Sequence, residues 1–403
     1  MLLTRSEFTG LASVWLVFFG MIVSLHFIKP FLGLYVLETG GDTLLVGAVF
    51  AANPLASFAI RVPGAALANR YGTRTMILIG LLINGLAILF YTTSANPVIL
   101  ISGSLLQGLG FGLFHPSMLA KMTQVRVGRL RGEESVAYIS TSVAAGQTLG
   151  PALGSLLIIG GFQTLFFGAA LISFASIPLA LAIMKKEEPA IGKLGITGSF
   201  RRLLTKDFGL LLFSRTAFSY PQGAIMAFIP IFMADAFKVS KSEVGLLFTV
   251  MAICNFAARP IGGQLIRRLG EGFLLKVGTA LMGLSALTYA WSFHPSLPWV
   301  AAVFYGTALG IFVPPALVYV GKAFSTETRT LGMAFYTIMI DMGLSLGGAL
   351  SAGILERTDY FTMFTVASGV GFSGMAAASV GVQRTGRTTG VLSDRSNASG
   401  SPS

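Results

Sequence analysis

Twelve residues beginning at Arg61 return in recognisable form far downstream, and this recurrence restricts the possible folds more than any other feature of the chain. The segment Arg61-Val-Pro-Gly64-Ala-Ala-Leu67-Ala-Asn69-Arg70-Tyr-Gly72 is echoed by Arg259-Pro-Ile-Gly262-Gly-Gln-Leu265-Ile-Arg-Arg268-Leu-Gly270. The offset is 198 at each shared position (259 less 61, 270 less 72). Gly108, Gly112 and Pro116 return as Gly306, Gly310 and Pro314 at the same distance. Self-similarity over so long a period means two related halves.

The halves lie in an apolar chain. Of its 403 residues 54% are hydrophobic and only 11% charged, where a soluble globular protein carries about 25% charged residues. About 20 apolar residues cross the hydrocarbon core as a helix. Such runs fall near residues 11–36, 43–64, 74–94, 97–121, 135–160, 162–184, 207–234, 241–265, 273–294, 297–322, 329–354 and 360–382. The expected fold is an all-α polytopic membrane protein, with twelve transmembrane helices in two pseudo-symmetric six-helix bundles. The bundles span 1–184 and 207–382, joined by a polar linker at 185–206. The Ser-, Gly- and Arg-rich tail, 383–403, lacks the apolar content to bury a core and is expected to be disordered. Asp42 is placed to cap the second helix, and Ser240-Lys-Ser-Glu243 reads as a capping box opening the eighth.

A net charge of +12 raises the question of a nucleic-acid partner, but no basic stripe with interleaved aromatics is present. The cations sit in short loops instead. With the N-terminus inside, 21 of the 28 Lys and Arg fall in inner loops and tails and three in outer ones. That bias places both termini in the cytoplasm of a cell whose plasma membrane holds the protein. An odd helix count would scramble it. The single cysteine, Cys254, excludes a disulfide framework or a CxxC site. The first run is too long for a signal-peptide core and reads as a retained helix. Three scattered histidines and no paired carboxylates leave no catalytic constellation, so the chain is not expected to be an enzyme. No metal or cofactor is called for, and the Gly108–Gly112 run lacks the strand and lysine of a nucleotide loop. Two related bundles sharing an interface imply a transporter, monomeric in the bilayer, whose partners are a small-molecule substrate and protons or another coupling ion.

Several motifs sharpen this. Leu67-Ala-Asn69-Arg70-Tyr-Gly72-Thr-Arg74 resembles the Gly-x-Leu-Ala-Asp-Arg-x-Gly-Arg-Lys loop of the major facilitator superfamily, with Asn69 in place of the acid; Gly64 precedes it, and Arg259, Arg268 and Gly270 mark the second copy. The fifth run, Gly146-Gln-Thr-Leu-Gly150-Pro151-Ala-Leu-Gly154, is similar to that family's antiporter motif, with Ser155 replacing its last glycine. Small residues four apart let helices approach closely, so generic packing accounts for it as well. Ser104-Leu-Leu-Gln107-Gly108 is similar to the family's Arg-x-x-Gln-Gly motif, but Ser104 stands where the arginine associated with proton coupling would be. The resemblance covers about 11–382 and implies alternating access, with drug/proton exchange as the likened branch: export of a small amphipathic solute. Import or symport of a metabolite is the alternative, and a non-transporting sensor or scaffold a remote one.

An ionisable group at the bilayer centre costs about 2.5–3.5 kcal/mol on insertion scales, so each needs a reason. His26 and Lys29, Arg61, His115, Arg215, Arg259 and Asp341 fall within runs 1, 2, 4, 7, 8 and 11, and none falls mid-span in runs 3, 6, 9 or 12. The resemblance assigns those four to the lipid-facing side. Asp341, the lone mid-span carboxylate, is the proton-coupling candidate; a fixed ion pair with an arginine or lysine is its structural alternative. His26 and Lys29 share a helical face and either receive an anionic substrate, pair with Asp341, or leave Lys29 snorkelling to the interface. Arg215 reads as snorkelling to water, Arg61 and Arg259 as structural, and His115 as an interhelical hydrogen-bonder. Gln147, Tyr220, Gln222, Asn255 and Tyr336, with Asn53, Gln107, Tyr305 and Tyr319, are the uncharged polar groups available to a substrate cavity.

Overall fold

A computed structural model describes residues 5–94, 96–124, 132–184, 206–323 and 329–398. Among them are twelve helices: α1 (Arg5–Glu38), α2 (Thr43–Tyr71), α3 (Thr73–Thr93), α4 (Pro97–Gln124), α5 (Gly132–Leu157), α6 (Phe162–Ile183), α7 (Lys206–Phe237), α8 (Lys241–Leu269), α9 (Glu271–Ala290), α10 (Leu297–Ala323), α11 (Arg329–Leu355) and α12 (Tyr360–Ala398). Each is long and apolar enough to cross a membrane, and a helix is what a chain adopts there because it satisfies its own backbone polar groups. Asp42 Oδ1 accepts from Leu45 N at 2.7 Å, and the Ser240–Glu243 capping box opens α8. The last helix departs from expectation: it continues to Ala398, past residue 382 where the apolar stretch ends. No proline interrupts residues 383–398 to stop it. The linker expected at 185–206 lies outside the described residues, except for Lys206 at the start of α7.

The two halves repeat each other contact by contact. In the first, α1 packs on α5 and α6, α3 on α4 and α6, and α2 on α4. In the second, α7 packs on α11 and α12, α9 on α10 and α12, and α8 on α10, which is the same set moved on by six helices. The correspondence reaches single residues. Gly108 leaves no room for a side chain against Asn53 and Ala56, and its repeat partner Gly306 does the same against Met251 and Cys254, each 198 residues on. Gly64 meets Leu113 and Gly112; Gly262 meets Ile311 and Gly310. Gly72 and Gly270 join α2 to α3 and α8 to α9 with φ +87° and +76°. Only glycine takes that backbone region without strain.

The halves meet along two seams, α2 with α11 and α5 with α8, which exchange under the same shift of six. The most buried spans, α1 and α7, run beside them. Substituting leucine at Gly108 will overpack the α2–α4 crossing and lower stability by about 1–3 kcal/mol. Leucine at Gly263, where nothing lies within 4 Å, will change it little. Thermal melts of the two purified variants check the contrast.

Candidate substrate cavity and interdomain ion pair

Between the seams lies a cavity of about 320 Å³, at the lower end of the ~300–1,000 Å³ typical of small-molecule sites. Its walls come from α1, α2, α4, α5, α7, α8, α10 and α11, and none of the lining residues belongs to α3, α6, α9 or α12. Those are the four helices whose runs carried no mid-span charge. Most of the surface is apolar, from residues such as Leu25, Phe50, Met226, Phe248 and Leu344.

Asp341, 6% exposed, is the buried carboxylate among the described residues. It reaches the cavity from α11 and accepts a 2.5 Å hydrogen bond from Arg61 Nη2 on α2, forming an ion pair between the halves. The same nitrogen also donates to Ser57 Oγ at 3.2 Å, one turn back. Arg61, read from the sequence as structural, therefore stands at the centre of the site. Its place at the inner end of an apolar run and its repeat partner were the available signals.

That partner repeats the arrangement without the acid. Arg259 on α8 donates through Nε to Asn255 Oδ1 at 3.2 Å, again one turn back, and through Nη2 to Gln147 Oε1 on α5 at 3.4 Å. Asn255 Nδ2 also donates to Gln147, at 3.2 Å. The repeat offset maps Asp341 onto Val143, and Gln147 sits one turn further along α5. Each seam thus has an arginine crossing it: one meets a carboxylate, the other an amide.

Of the other sequence candidates, His26, Lys29, His115, Gln147, Gln222 and Asn255 line the cavity. The His26 ring bonds the Ile22 carbonyl of its own helix through Nδ1, at 3.0 Å. His115 packs its ring against Phe18 and Phe111, 5.9 and 5.1 Å between centroids. Arg215, Tyr220 and Tyr336 are not among the lining residues. Arg215 does not snorkel: it is 3% exposed, with its guanidinium 5.1–5.5 Å from the ring centres of Phe218, Phe312 and Tyr336. Aromatic faces stabilise a desolvated guanidinium, which corrects the expectation that it reaches water. Tyr336 is committed to that box, and the Tyr220 carbonyl abuts Gly347 of α11. Tyr220 therefore belongs to the packing within the second half.

The motif residues serve the frame. Gly146, Gly150 and Gly154 bring α5 onto α1 at Ile22, His26 and Phe27, respectively, and Pro151 lines the cavity. Arg74 Nη2 donates to the Leu181 carbonyl at 2.8 Å. Arg70 is exposed beside the Tyr71 ring, and Arg268 is exposed too; the Asn69 side chain lies outside what is described. Ser104, at the family's arginine position, instead donates to the Val49 carbonyl of α2.

The end of the molecule remote from the termini is drawn together. Lys241 at the start of α8 pairs with Glu38 at the end of α1 at 2.8 Å, and Thr43 donates to Glu356 at 2.7 Å. Ser242 Oγ donates to the Ser155 carbonyl at 2.9 Å. Below them Gly47 packs on Gly348 and Ala352, and Gly245 on Ser155 and Phe31.

Two like bundles around a buried, partly polar cavity, joined by few crossing bonds, define a multi-pass membrane transporter. The chain matches the family model described as Major Facilitator Superfamily over residues 14–220 and 210–397. It belongs to that superfamily. Among curated relatives it is 22% identical over 315 residues to Multidrug resistance protein 1 of Bacillus subtilis, covering 75% of this chain and 79% of that one. It is 23% identical over 350 residues to Multidrug resistance protein MdtH of Yersinia pestis, covering 86% of each. The Methylenomycin A resistance protein of Bacillus subtilis is 28% identical over 146 residues, which is 36% of this chain and only 31% of that relative's length. Among solved structures, the nucleoside transporter NupG superposes with a TM-score of 0.73 at 16% identity, covering 94% of this chain and 99% of that one. A POT family transporter in complex with a thioalcohol-conjugated peptide gives 0.79 at 14% identity, covering 93% and 96%. These likenesses establish the fold.

Proposed function

We propose that the protein is a proton-coupled transporter of small amphipathic solutes, working by alternating access in the plasma membrane with both termini in the cytoplasm. The observation that carries this reading is the Arg61–Asp341 ion pair. It joins the halves at the cavity wall, and one proton on Asp341 removes the charge that holds it. With the pair broken, α2 and α11 lose the charged bond that joins them at the cavity wall, and rebinding of Arg61 draws them together again. Export is the direction favoured by the names of the Bacillus and Yersinia relatives, which are resistance proteins. Cotransport of proton and solute is the second reading. It is favoured by the excess of cations within the spans, buried Arg215 and partly buried Lys29, Arg61 and Arg259, over Asp341, the one buried carboxylate among the described residues.

The test is flux of labelled amphipathic solutes in proteoliposomes, loaded or empty, under an imposed pH gradient. Asp341→Asn will still exchange solute but will no longer follow the gradient, whereas Asp341→Glu will. Gradient-driven flux through Asp341→Asn at the wild-type rate would remove Asp341 from the coupling step.

A further inference from the structure

Lys29 is not placed like an interfacial lysine. It lines the cavity from α1, nine residues before the helix ends at Glu38, which is about 13 Å at 1.5 Å per residue. A lysine side chain is about half that long, and the remote end above it is closed by the Lys241–Glu38 and Thr43–Glu356 contacts. Asp341 has an electrostatic interaction with Lys29 but accepts its short hydrogen bond from Arg61. One carboxylate cannot neutralise both. A second, independent feature lines the same cavity from α4: Gln107, 4% exposed, has its Nε2 donor unpartnered, while its Oε1 accepts from Asn53 at 3.3 Å. Deeper in the second half, Arg215 keeps Nε and Nη1 without hydrogen-bond partners. Uncompensated charge and unmade buried hydrogen bonds are costly; Lys29 and Gln107 offer this cavity a cation and a free donor, beside one unpartnered acceptor, Gln222 Oε1, and the unpartnered Tyr305 hydroxyl.

We infer that the ligand is a small organic anion, a carboxylate carried on an apolar body. Its charge binds the Lys29 ammonium with Gln107 as a further donor, and its body lies against Phe111, Phe248 and Met251. A lipophilic cation finds no free carboxylate here, because Asp341, the buried acid among the described residues, is occupied by Arg61. The inference rests on the reading that this cavity is the solute site and deepens it; it is independent of direction and of proton coupling.

Purified full-length protein tests it without any gradient. The shift in melting temperature is measured with benzoate and 2-naphthoate, with their methyl esters, and with tetraphenylphosphonium. The two acids will stabilise the wild type, and the esters and the phosphonium will not. Loss of one charge-assisted hydrogen bond in Lys29→Gln will weaken acid binding about tenfold or more, while Lys29→Arg retains it. Esters or phosphonium stabilising as much as the acids, or no response to either acid, would overturn the inference. If Lys29→Gln does not fold, the comparison of acid with ester in the wild type decides alone. Acids that bind while flux ignores the pH gradient would leave this inference standing and end the proton-coupled one.

Discussion

Alanine at Arg61 will destabilise the protein by about 3–5 kcal/mol, and the double replacement Arg61→Met with Asp341→Leu will recover most of that loss. The reason is asymmetry. Paired, the two charges offset each other's desolvation; with one removed, the other is left in a wall where both side chains are only about a tenth exposed, 11% and 9%. Replacing both by apolar groups of similar volume removes the penalty along with the attraction. Denaturant or thermal unfolding of the wild type, Arg61→Met, Asp341→Leu and their double variant forms a cycle that isolates the coupling. If the costs of the single variants simply add in the double one, the ion pair does not join the halves energetically and the proposed latch fails.

The opposite experiment strengthens a seam. Gln147→Glu places a carboxylate beside Arg259, within reach of the 3.4 Å contact the amide already makes. A hydrogen bond between charged groups contributes about 1.5–3 kcal/mol. The α5–α8 seam will then hold more tightly, and turnover will fall roughly tenfold to a hundredfold if its separation limits the cycle. Binding measured without a gradient will change far less than flux. Adding Arg259→Gln to the variant removes the new pair and will restore the rate. Turnover in Gln147→Glu equal to the wild type would show that this seam does not open during transport.

The two-half fold was legible in the residues, because membrane insertion writes its constraints locally; the eight helices lining the cavity followed from the family resemblance, which the placement of ionisable groups fits. Apolar runs give the spans, and the repeated Arg61 and Arg259 segments give the duplication. The cost of buried charge keeps ionisable groups off the lipid side. An ion pair of Asp341 with an arginine or lysine was among the readings, but which residue supplies it escaped. Nothing near Arg61 names a partner 280 residues away, since the α2–α11 contact exists only once the two bundles dock. Arg215 was misjudged for the same reason. Its position two turns into α7 suggested water, while the rings that hold it come from α10 and α11 as well as its own helix. Tyr220 and Tyr336 were equally plausible on polarity alone; only helix rotation turns them from the cavity wall.

At the remote end Gly47 and Gly245 let the facing side chains of Ala352, Ser155 and Phe31 sit directly on the backbone of the other bundle. A leucine in place of either glycine would have to displace them. Parting the bundles here therefore uncovers less apolar surface than separating interlocked leucines would. The bonds left to break are polar and near water, Lys241 with Glu38 and Thr43 with Glu356, and exposed pairs of that kind contribute about 0–1 kcal/mol each.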